Sequence, residues 1–190
     1  GDVPVLLRTR DVFGNVYEID LRGLRGTPGF GSRRILRTGP AQRVMRTHGT
    51  LIPTKRSAAG EPVLHMMGVH AYWILRGSDE RVSLDLRVHN GAISGRRPPH
   101  TLELPSGLLY WDQLELVLPE EWTAEPLFQD PFFGETRVEN GETIVPIVKR
   151  FPGGELHCMG PQAQFERRLV LQPRKGAQHG ARPRLEGLAF

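Results

Sequence analysis

Carboxylates and aromatic rings crowd the middle of this chain. Asp112, Glu115, Glu120, Glu121, Glu125, Asp130 and Glu135 are interleaved with Tyr110, Trp111, Trp122, Phe128, Phe132 and Phe133. Two carboxylates held across a glycosidic bond serve as general acid and base. An exposed Trp or Tyr face beside an Asp holds a sugar ring by stacking and hydrogen bonding, which singles out Tyr110, Trp111, Trp122 and Asp112 as a candidate ligand-binding group. Simpler readings weigh against both. Acidic runs are usually solvated faces, and in a chain with 7% aromatics most rings belong to the core.

Other chemistry is less supported. The seven histidines (His48, His65, His70, His89, His100, His157 and His179) include no H-x-H pair, the spacing that sets two imidazoles on one strand face. His65 and His70 fall on opposite faces of one expected strand, although His65 and His157 could meet across strands. No metal site is expected. Cys158, the one cysteine, excludes an internal disulfide and a cysteine zinc cluster, and its strand setting predicts a small buried hydrophobe. His157 beside it faces the other way, so the two make no thiolate–imidazole pair. Ser106-Gly107 lacks the G-x-S-x-G elbow. The glycine-dense loop 23–31 lacks the lysine and the strand–helix setting of a nucleotide site. No catalytic residue and no cofactor is assigned.

Charge is unevenly spread. Residues 1–60 carry eleven Lys and Arg against four acids, residues 61–148 six against fourteen, and residues 149–190 eight against three. Of the 25 basic residues, 22 are arginine. A GC-rich genome accounts for much arginine; the functional alternative is a surface meeting carboxylates or phosphates through bidentate forks. The arginines are dispersed rather than clustered with aromatics, which argues against nucleic acid as a partner.

The elements that must position these residues are strands. Gly and Pro number 22 and 16 in 190 residues, too much punctuation for a helical bundle. Residues 81–90 (RVSLDLRVHN) alternate strictly, with Val82, Leu84, Leu86 and Val88 on one face. Residues 63–75 are apolar on both faces and pair with them as a long antiparallel hairpin, the first strand central. Further strands are expected at 3–8, 16–21, 43–51, 114–118, 144–148, 155–159 and 165–172. Gly14-Asn15 and Asn140-Gly141 mark turns, the latter within a meander. Pro146 pushes its strand toward an edge. Residues 119–124 offer one short helical turn, and 54–62 a loop. Residues 129–135 form a loop with two bulky apolar side chains, either an exposed interaction tip or a plug at one end of the fold.

About nine strands predict an all-β fold, an antiparallel β-sandwich or distorted β-barrel with long Gly/Pro-rich loops. One domain spans 1–172, and 173–190 form a basic, Gly/Pro-containing tail or linker. No apolar run is long enough for a membrane span.

THGTL (47–51) and GVHAYWILRGSDERVSLDLRVHNG (68–91) resemble part of the N-terminal barrel domain of the exo-rhamnogalacturonan lyase-like family of bacterial proteins. The match covers about a quarter of the chain. It implies a barrel-like accessory domain beside a separate catalytic domain, with no catalytic residue carried over. The expected function is therefore a non-catalytic accessory or sugar-binding module of a bacterial carbohydrate-related protein, extracellular or periplasmic. Its expected partner is a polysaccharide or a neighbouring catalytic domain. The alternative is a structural or assembly protein, such as a phage virion subunit, that forms homo-oligomers through its segregated charge. A third reading is a polysaccharide-degrading enzyme using the 103–142 carboxylates.

Overall fold

The computed structural model describes residues 4–24, 26, 28–64, 66–77, 80–90 and 107–174. Thirteen strands are present among them, and no helix. They form a sandwich of two antiparallel sheets; the barrel alternative is set aside because neither sheet closes on itself. The first sheet comprises β1 (Leu6–Asp11), β2 (Val16–Asp20), β5 (Ile52–Lys55), β8 (Leu109–Pro119), β10 (Arg137–Glu139), β11 (Glu142–Val148) and β12 (His157–Met159), in the order β10-β11-β8-β1-β2-β5 with β12 also on β8. The second comprises β3 (Phe30–Thr38), β4 (Gln42–Thr50), β6 (Gly68–Arg76), β7 (Val82–His89), β9 (Trp122–Pro126) and β13 (Gln164–Pro173), ordered β3-β4-β6-β7-β13-β9.

Alternation builds the core. Leu7, Tyr17, Leu114 and Leu116 from one sheet meet Met45, Trp73, Leu84 and Leu86 from the other, all essentially buried. The expected hairpin is β6–β7, in register from Gly68↔His89 to Leu75↔Val82. Its first strand starts later than the apolar run suggests. Val63 and Leu64 are exposed, and Met66 and Met67 bond to Leu51 instead. His65 lies outside the described residues. Both hairpin strands are interior to the sheet, each with one face inward.

Turn chemistry holds where it was legible. Asn140 and Gly141 have φ of 53° and 77°, the left-handed pair of a type I′ turn joining β10 to β11. Gly14 turns β1 into β2, and a buried network fixes the neighbouring loop. Asn15, fully buried, donates to Asp11 and to the Gly60 carbonyl and accepts from the Ser57 amide. The Tyr17 hydroxyl donates to Asp11 and accepts from the Val63 amide. Burial first, then Asp11, pushes the Tyr17 pKa upward, so it stays a neutral donor.

Five local expectations are corrected. Residues 119–124 form no helical turn; they end β8, turn at Glu120-Glu121 and open β9, which takes the ladder edge of β13. The 23–31 loop closes at Phe30, where β3 begins, and the 54–62 loop loses its start to β5. Pro146 does not mark an edge strand, because β11 lies between β10 and β8. It is tolerated because β10 ends opposite Ile144, leaving that side of Pro146 outside the ladder. Cys158 is exposed, since His157 and Met159 take the inward positions of β12. Residues 175–190, most of the expected tail, fall outside the described residues.

Candidate functional site

The four residues of the candidate ligand group are separated by the sheets. β8 contains a bulge: Thr9 pairs with Leu114 but Asp11 with Trp111, so β8 spends one residue more than β1. The extra residue turns Trp111 inward on the same side as Leu114. Trp111 is 3% exposed, stacked on His157 with ring centroids 4.4 Å apart and facing Phe165 at 6.1 Å. Trp122, on the other sheet, is 4% exposed. Neither indole offers a face to a sugar, which corrects that part of the expectation. Asp112 is engaged by Arg150 at 2.6 Å and by the Gln113 amide. Tyr110 alone of the four is exposed, at 44%, beside exposed Leu108.

The acidic segment is equally divided. Glu115, 2% exposed, is held by Arg137 and by Gln113 Nε2 at 3.0 Å, and Asp130 pairs with Arg167 at 3.2 Å. These carboxylates serve the sheet as anchors for guanidinium groups. Glu120, Glu121, Glu125 and Glu135 are exposed and have no ion pair among the described residues. In the 129–135 loop Phe132 is exposed while Phe133 packs against the core, so the loop does both things its sequence allowed. Between Ile19 and Val69, beneath His48, lies a cavity of about 10 Å³, room for a single water.

What the molecule does present openly is charge on opposite edges of the second sheet. At one edge, β3 is exposed from Arg33 to Thr38, with Arg33, Arg34 and Arg37 flanking exposed Ile35 and Leu36. At the other, Glu120, Glu121 and Glu125 surround β9, followed by exposed Leu127 and Phe128. No family model, curated protein or solved structure matches the chain.

Sequence reading also missed a cluster on the outer face of the second sheet. His48 on β4 is the register partner of His70 on β6, with rings 5.3 Å apart, and the His89 ring of β7 lies 5.6 Å from His70. The His48 Nδ1 meets the Ser32 hydroxyl at 3.0 Å. Burial, then neighbouring positive charge, lowers all three imidazole pKa values, that of His70 to about 4. Among the described residues no group of His, Cys, Asp and Glu is arranged to hold a metal ion. The available signal was alternation, R-x-H in β4, H-x-Y in β6 and R-x-H in β7, which aims each of these histidines at the same sheet face.

Proposed function

We propose that this chain is a non-catalytic β-sandwich that acts by surface contact, as a subunit that associates with further copies of itself. The observation that supports this is the pairing of an arginine-rich, apolar edge at β3 with an acidic, apolar edge at β9 on one sheet. A contact between two different edges is heterologous. It repeats head to tail and builds a ring or a filament. An exposed strand edge supplies unpaired backbone donors and acceptors, exposed Ile35, Leu36, Leu127 and Phe128 supply apolar area, and opposed charge sets the register.

The accessory-module reading keeps one observation in its favour, the exposed Tyr110 beside Leu108. That is a thin platform, since the indoles meant to extend it are in the core. The degrading-enzyme reading has less, because Asp112, Glu115 and Asp130 are already committed to arginines.

Light scattering on the eluting protein tests the proposal. At about 0.05 M salt the mass should rise with concentration, and at about 0.5 M it should fall back, since exposed charges are then screened within a few ångströms. A monomer at every concentration in low salt contradicts it.

A further inference from the structure

Two adjacent cross-strand rows cover the outer face of the second sheet. One runs Arg34–Arg46–Tyr72–Asp85–Arg168 and the next Ser32–His48–His70–Arg87–Glu166, each across β3, β4, β6, β7 and β13. His89, opposite Gln164, flanks the second row. At the β7–β13 end charges are matched: Arg87 with Glu166 at 2.8 Å and Arg168 with Asp85 at 4.0 Å. At the β3–β4 end they are not. Arg34 and Arg46 stand directly opposite each other, and neither has an ion pair among the described residues. Like charges in direct register destabilise a sheet.

A second cost falls in the same place. Arg46 Nε, His48 Nε2, His70 Nδ1 and His89 Nε2 are shut off from water and have no hydrogen-bond partner. Unmet polar nitrogens beside unmatched positive charge are two departures from a well-satisfied surface, and such departures concentrate at sites completed by a ligand. One kind of group answers both, an acceptor carrying negative charge.

We propose that this face binds an oxyanion, a carboxylate or phosphate carried on a solute, through the Arg34 and Arg46 guanidinium groups and the imidazoles of His48 and His70. Arginine forks meet such groups in bidentate fashion. The Ser32 hydroxyl at Nδ1 of His48 fixes that ring, whose Nε2 has no partner and lies beside Gly31. Binding requires these ring nitrogens, shut off from water, to be uncovered as the anion seats. His70 is neutral near pH 7, held there by burial and by His48, His89, Arg46 and Arg87. A seated anion favours the imidazolium, so the anion must bind more tightly as pH falls. Tyr72 stacks on His70 at 6.4 Å, and Asp85 and Glu166 are the acids in these two rows, each already facing an arginine. This site does not depend on self-association.

Calorimetric titration with a galacturonate oligomer and with inorganic phosphate, at pH 7.5 and 5.5 and constant ionic strength, tests it. The carboxylate stays ionised over this range, so any gain there belongs to the protein. Affinity for at least one probe should rise about tenfold at pH 5.5, and the two arms tell which oxyanion fits. Arg46→Gln should weaken binding at both pH values, and His70→Gln should weaken binding and abolish the gain at pH 5.5. Arg34→Gln serves if Arg46→Gln lowers the melting temperature. Absence of binding by both probes at pH 5.5, or binding that these variants leave unchanged, overturns the proposal.

Discussion

Arg137→Met should cost about 3 kcal/mol of stability, read as a lower urea midpoint at unchanged slope. The guanidinium is the charged partner of Glu115, whose side chain is 2% exposed, and it also reaches Glu139. Without it, Gln113 Nε2 is the one remaining donor among the described residues to a carboxylate sealed in the sheet. Losing one partner of a buried pair leaves an uncompensated charge, and that penalty exceeds the net worth of the pair. Hence the double variant Glu115→Met, Arg137→Met should recover most of the loss, because packed apolar groups replace a desolvated ion pair at little cost. A single variant as stable as the parent would contradict this account of the Glu115–Arg137 pair.

Acid should weaken the fold well before its carboxylates titrate. His70 has a pKa of about 4 in the folded chain against 6.5 when unfolded, through burial first and then the surrounding cations. Above pH 6.5 both states are neutral and nothing is lost. Between 6.5 and 4 the unfolded chain takes up a proton that the folded chain refuses, so stability falls with pH, and below 4 the loss is complete. Discounted for partial exposure, His70 contributes about 2 kcal/mol. His48 and His89 shift the same way, from burial and adjacent positive charge. Thermal midpoints from pH 7.5 to 5 should fall for the parent and fall less for His70→Gln. Saturating oxyanion should restore part of the parent's loss at pH 5.5. Equal slopes for parent and variant would contradict this account of the histidine row.

The sheet class was legible because β7 pays for one buried face with Ser83, Asp85 and Arg87 on the other, a period of two that no helix shares. β3 was not, since an edge strand exposed on both faces needs no alternation, and its two bulges scramble what alternation there is. The bulge in β8 hid Trp111 in the same way: one extra residue sends an apparently outward ring into the core. The histidine row depends on register between strands 22 and 19 residues apart in sequence, His48 to His70 to His89, and cross-strand register is set by the fold rather than by local pattern.

The most direct test of the central claim is an exchange of charge between the two edges. One chain carries Glu120→Lys, Glu121→Lys and Glu125→Lys; the other carries Arg33→Glu and Arg37→Glu, leaving the oxyanion face intact. By light scattering at low salt the parent should associate, each variant alone should remain monomeric, and an equimolar mixture should regain high mass, because the basic β3 edge of the first meets the acidic β9 edge of the second. Monomers throughout, or variants that associate alone as the parent does, would contradict the account.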